Sequence, residues 1–137
     1  MSIVLSIKPQ FTNLILEGKK TIELRTKIGK KFSNNADLII YSSSPVKAIV
    51  AIAKVHKIQN LRKDQITSDH FDKICISSAF FQDYMQGRES CYLMELKDVN
   101  KLTNPIALSD LKKLNFTAPQ SFCYASEDLN LLVNSHL

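Results

Sequence analysis

Apolar and polar positions along the chain change period several times, and each change predicts an element. Ile3, Leu5 and Ile7 alternate with Val4 and Ser6, which predicts a short strand stopped by Pro9. Pro9 suits the first turn of a helix, where its missing N–H is not needed. Phe11, Leu14 and Ile15 then recur at helical spacing, and Gly18 stands where a helix end turns left-handed. Residues 9–17 are therefore expected to form a short amphipathic helix. From Thr21 to Thr26 the period drops to two, with Ile22 and Leu24 on one face and Thr21, Glu23 and Arg25 on the other. That pattern predicts a half-buried strand with a polar second face.

Gly29 and Asn34-Asn35 mark a polar, basic loop over residues 27–35. Leu38 to Tyr41 reads as a strand, turned by Ser42-Ser43-Ser44-Pro45. Val46 to Ile58 is a long β-branched stretch, almost unbroken in apolar residues before Lys54, and is expected to be a strand buried on both faces. Between Ser68 and Gln86 the period becomes helical, with Phe71, Ile74, Cys75, Ser78, Phe81 and Met85 on one face and Gly87 closing a single helix. Cys91 to Asp98 alternates again as a strand. Ser109 is expected to cap a short helix bearing Leu111 and Leu114. Ser126, followed by Glu127 and Asp128, is expected to cap a last helix presenting Leu129, Leu132 and Val133. Short turns between consecutive strands favour antiparallel pairing. The expected fold is α+β, a small, mainly antiparallel sheet bent strongly or closed into a barrel, with flanking helices. Residues 1–137 read as one domain, with 99–137 a helical extension packed on the barrel.

Composition narrows the class without choosing a function. With 137 residues, 45% of them apolar and 23% charged, the chain can bury a core and is neither collagenous nor disordered. Its longest apolar run, Ala48 to Ala53, is far short of the ~20 residues of a membrane helix. Ser6, Lys8 and Pro9 interrupt the N-terminal apolar run too early for a signal peptide, so a cytoplasmic protein with no membrane partner is expected. Cys75, Cys91 and Cys123 are widely spaced, and His56, His70 and His136 are scattered. No metal and no cofactor are predicted from them.

The charge is one-sided. Residues 1–63 carry twelve Lys and Arg against Glu17, Glu23 and Asp37, whereas residues 64–137 carry six against ten acids. A positive field of this kind suits a polyanionic partner, although an ordinary lysine-rich surface has the same composition.

The segment Gly18-Lys19-Lys20-Thr21-Ile22-Glu23-Leu24-Arg25 contains G-x-K-x-x-E-x-R, preceded by Leu5-Ser6-Ile7-Lys8-Pro9 and a short helix. Together with Tyr41-Ser42-Ser43-Ser44-Pro45-Val46 and the closing Ala118-Pro119-Gln120-Ser121-Phe122, it resembles the ASCH domain family. The resemblance implies a PUA-like β-barrel with a cleft floored by the G-x-K-x-x-E-x-R segment. It also implies RNA, or a modified nucleoside or nucleotide, as the partner, and a regulatory role.

On this reading Gly18 allows a tight turn, Lys20 and Arg25 offer donors to a phosphate or base edge, and Glu23 accepts from an amino group. Glu23 could equally pair with Lys20 or Arg25 to hold the wall together. Lys8 and Ser43 are further candidates for the cleft, and Lys27, Lys30 and Lys31 for tracking a backbone; Tyr41 is expected in the core, with stacking on a base as the alternative. Phe32 is the one aromatic residue interleaved with the basic loop. Some relatives resembling this chain are amidohydrolases of acetylated cytidine with a G-x-K-T-x-T-x-R motif, but here Glu23 holds the second threonine's place. As an enzyme the chain would rely on Lys20 and Glu23, with an aspartate from Asp64, Asp69 or Asp72. A ribonuclease using Lys20 with Tyr41 or Ser43 is another hydrolase reading, and a protein-interaction module using the acidic half is a third class. The sequence favours a binder over an enzyme and leaves the oligomeric state open.

Overall fold

A computed structural model describes residues 2–137. The chain runs β1 (Ile3–Ile7), α1 (Pro9–Leu16), β2 (Ile22–Arg25), β3 (Asp37–Ser42), β4 (Ala48–Arg62), α2 (Ser68–Ile74), α3 (Ser78–Tyr84), β5 (Ser90–Ala107), α4 (Leu108–Leu111), β6 (Phe122–Tyr124) and α5 (Glu127–Ser135). The strands form one sheet in the order β2-β5-β4-β3-β1-β6. Among the described residues only the β1–β3 pairing is parallel; the other pairings are antiparallel. The register of β4 against β5 shifts at Ile49/Ala51, Ile52/Lys54 and Val55/Lys57. Each such irregularity bends and twists a strand, so the long β4–β5 ribbon curls the sheet into a half-barrel.

Both faces of the curl are covered. Ile3, Leu5 and Ile7 of β1 point inward, with Leu38, Ile40, Val50 and Ala51, and α1 adds Ile15. On the outer face Val4, Ile39 and Ile49 meet Leu129 and Val133 of α5. A third cluster joins Ile22 and Leu24 of β2 to Ile74, Phe81 and Met85. The alternation read in β1 and β2 thus assigns faces correctly. The first half of β4 is nearly all buried, as its unbroken apolar run predicts.

Local signals hold at several element ends. Pro9 starts α1, Gly18 follows it at φ 78°, and the Ser126 hydroxyl accepts from the Leu129 N–H. Four expectations need correction. The helix expected over Ser68–Gln86 is two helices, because Cys75 turns left-handed at φ 65° and Ser77 starts a new helix by accepting from the Phe80 N–H. The strand expected to stop at Asp98 continues to Ala107, since β4 is long enough to pair with it as far as Ala48↔Ala107. Residues 99–107 are consequently strand, and 122–124 are strand through pairing with β1, so the 99–137 segment is only partly helical. Ser109 lies inside α4, whose N-cap is Ala107 with no side-chain cap.

Two aromatic expectations are also resolved by burial. Phe32 turns into the core and meets Phe122 edge-on at 4.8 Å, so it offers no ring to a ligand. Tyr41 is core too, packed near Phe116, and burial raises its phenol's pKa.

Candidate functional site

The half-barrel leaves a seam where β2 approaches β1 and the segment leading into β6. A cleft of about 320 Å³ opens there, lined by Lys8, Lys20, Glu23, Arg25 and Lys27 together with apolar side chains. The polar second face of β2 supplies Glu23 and Arg25, and the turn after α1 supplies Lys20.

Lys20 is buried at 3% exposure. Its ammonium donates to the carbonyls of Ile22 at 2.7 Å and Ile74 at 2.9 Å, and Glu23 Oε1 lies 3.3 Å away. The same Nζ sits 5.3 Å from the centre of the Phe11 ring. An ammonium has three protons, and these three oxygens take them all. Burial lowers the Lys20 pKa, with Glu23 opposing that shift.

Arg25 is spoken for in the same way. Nε and Nη2 donate to Glu23 Oε2 at 3.0 and 2.8 Å. Nη2 also donates to the Ser6 carbonyl at 3.0 Å, while Nη1 donates to the Ser121 carbonyl and hydroxyl at 3.1 and 2.9 Å. Five donors meet five acceptor contacts from three chain segments. The guanidinium therefore stitches β2 to β1 and to the approach of β6. The pairing of Glu23 with both cations, one of the alternatives the sequence left open, is present. The buried triad carries one net positive charge, because two cations flank one carboxylate.

Lys8 and Lys27 differ: both are exposed at the cleft's rim. The remaining candidates lie elsewhere. Gly18 shapes the turn but does not line the cleft. Ser43 sits in the β3–β4 turn, where its N–H donates to the Ile7 carbonyl and its own carbonyl accepts from the Val46 and Lys47 N–H groups. Asp64 pairs with Arg62 and Asp69 with Lys73, and neither they nor Asp72 reach the cleft. Among the described residues no cluster of three His, Cys, Asp or Glu side chains could hold a metal.

Sequence reasoning missed the aromatic wall. Phe80 and Tyr84 of α3 stack with planes 14° apart and centroids 6.5 Å apart, and Phe11 meets Phe80 nearly edge-on. They remain 44% and 40% exposed, whereas Phe81 on the opposite face is fully buried. The available signal was their i, i+4 spacing on what should have been the polar face. Gln120 and Ser121 also line the cleft.

Residues 1–114 match the family model described as a domain of unknown function (DUF365). A Zymomonas mobilis subsp. mobilis protein named an ASCH domain-containing ribonuclease is 30% identical over 127 residues, covering 91% of this chain and 84% of that one. The crystal structure of ASCH from Zymomonas mobilis superposes with a TM-score of 0.89 at 29% identity, covering 98% of this chain and 94% of that one. The N-terminal domain of Staphylothermus marinus McrB shares the fold at 12% identity, with a TM-score of 0.61 over 98% and 93% of the two chains. The extent of these matches, with the G-x-K-x-x-E-x-R segment on the cleft wall, establishes that the chain belongs to the ASCH domain family, with its PUA-like fold.

Proposed function

We propose that this protein binds single-stranded RNA, seating one nucleobase in the cleft. The observation that carries the reading is the exposed Phe80–Tyr84 stack at the mouth of a cleft whose inner wall is cationic. Every base has a π-face, and stacking on an aromatic platform contributes about 1–3 kcal/mol per base. Lys8 and Lys27 at the rim are placed for the flanking phosphates, and the positive N-terminal half attracts the strand over distance. The similarity to a protein named a ribonuclease supports RNA as the class of partner.

In this reading Lys20, Glu23 and Arg25 form and charge the wall, and their donors stay with the protein. Ligand contacts fall to the rim lysines, the rings and Gln120. Titration of single-stranded RNA, duplex RNA and the matching DNAs at two salt concentrations tests it. Single-stranded RNA is expected to bind most tightly, with affinity falling as salt rises. Equal affinity for RNA and heparin would sink the proposal.

RNA cleavage is a second reading, favoured by the relative's name. It needs a base for the 2′-hydroxyl and an acid for the leaving oxygen. Lys20 and Glu23 are poorly placed for either, since both are held in the wall. Incubating labelled RNA with the protein and a chelator discriminates: products above background support cleavage, and intact RNA leaves binding.

A further inference from the structure

The border strand β2 is paired on one side only, with β5. Two contacts tell which of its main-chain groups face outward. The Thr21 carbonyl accepts from the Leu96 N–H at 2.9 Å, so it faces β5. The next carbonyl, of Ile22, faces away and accepts from Lys20 Nζ at 2.7 Å. Along an antiparallel strand the main-chain groups of successive residues alternate in side. The register runs unbroken from Ile22↔Glu95 to Arg25↔Tyr92, so Glu23 and Arg25 bond to β5. The N–H and C=O of Leu24 therefore point the other way.

The two buried cations close this border on either side of Leu24. Lys20 joins the Ile22 carbonyl to that of Ile74 at the end of α2, and Arg25 reaches the Ser6 and Ser121 carbonyls. Between these ties the border opens, and Leu24 lines the cleft there. Among the described residues its N–H and C=O meet no protein partner. Yet Leu24 is only 9% exposed. Main-chain groups held that far from bulk water are nearly always hydrogen-bonded. A donor and an acceptor thus stand side by side in the cleft, complementary to a ligand that carries the opposite pair.

We infer that Leu24 reads the base through its main chain, its N–H and C=O pairing with the Watson–Crick edge. Unpaired bases in single strands are recognised along that edge. Each unmodified base carries a donor next to an acceptor there: a ring N–H and a carbonyl in uracil and guanine, an amino group and a ring nitrogen in adenine and cytosine. The site therefore accepts a base whose edge is free, and rejects one that is paired in a duplex or methylated on that edge. Phe80 and Tyr84 take the face of the base and Leu24 its edge. The inference rests on the cleft being an RNA site.

The test compares octamers of uridine, N3-methyluridine and C5-methyluridine, which share the ring, the sugar and the phosphates. The N3 methyl removes the donor of the Watson–Crick edge, and the C5 methyl lies away from that edge. The uridine and C5-methyluridine octamers are expected to bind alike, and the N3-methyluridine octamer about tenfold to a hundredfold more weakly. Amide hydrogen exchange followed by NMR locates the contact. In the free protein the Leu24 amide should exchange faster than those of Glu23 and Arg25, and saturation with the uridine octamer should slow it about tenfold or more. An N3-methyl octamer that loses no more than the C5-methyl one, or a Leu24 amide whose exchange the uridine octamer leaves unchanged, overturns the edge reading while the cleft stands. A uridine octamer that does not bind overturns both.

Discussion

The inner wall of the cleft and its rim carry the same residue types to opposite ends. Lys20 and Arg25 are cations whose donors all reach protein oxygens, bracketing a Glu23 that is itself buried. Lys8, just after β1, and Lys27, two residues after Arg25, are exposed to solvent. The charged lining of the cleft is thus divided by burial. Its buried members set the shape and potential of the site, and the exposed ones remain available to a ligand. Charge alone does not distinguish these roles; counting donors against acceptors does.

The largest expected effect breaks the wall. Glu23→Ala leaves a buried ammonium and guanidinium without their shared counter-charge and should cost about 3–5 kcal/mol, read as a lower urea midpoint. An unchanged midpoint would mean that the triad is ornamental. The mirror experiment removes the platform. Phe80→Ala should weaken single-stranded RNA binding by about 1–3 kcal/mol while barely moving the midpoint, because the ring is largely outside the core. A large stability loss with intact binding would reverse the comparison.

The smallest effect is a titration. Because burial lowers the Lys20 pKa, its ammonium should deprotonate below the ordinary lysine value of 10.5, visible in its ¹³Cε shift by NMR. The unfolded chain keeps that proton to higher pH than the folded chain. Between the folded value and 10.5, this residue's contribution to stability therefore rises with pH. Titration of Lys20 together with the surface lysines would show that it is solvated.

Much of the fold was legible because it depends on neighbours in sequence. The alternation in Ile3–Ile7 and Ile22–Arg25, Pro9 at a helix start and the Ser126 cap are local signals, and each placed its element. The break at Cys75 was hidden, since an apolar period continued through a residue that tertiary packing holds left-handed. The second half of β5 was hidden as well: residues 99–107 are mostly exposed and lack a clean alternation, and are strand because β4 offers them a partner. In the site, the motif lies on the wall of the cleft, but what occupies its donors lies far off in sequence. Ile74 is 54 residues from Lys20, and Ser121 is 96 from Arg25. Phe80 and Tyr84 escaped because the eye follows the apolar stripe of a helix and passes over rings on its back.

The stitch made by Arg25 bears on solubility. The sheet ends at β2 on one side and β6 on the other, and terminal strands present unpaired amides and carbonyls that invite another molecule to add on. By donating to the Ser6 and Ser121 carbonyls, where β1 and the approach to β6 already meet through the Ser6 N–H, the guanidinium ties the β2 border to the opposite end of the sheet. One side chain thereby holds shut a seam that full closure would have joined by a hydrogen-bond ladder, leaving less of it for another copy to enter.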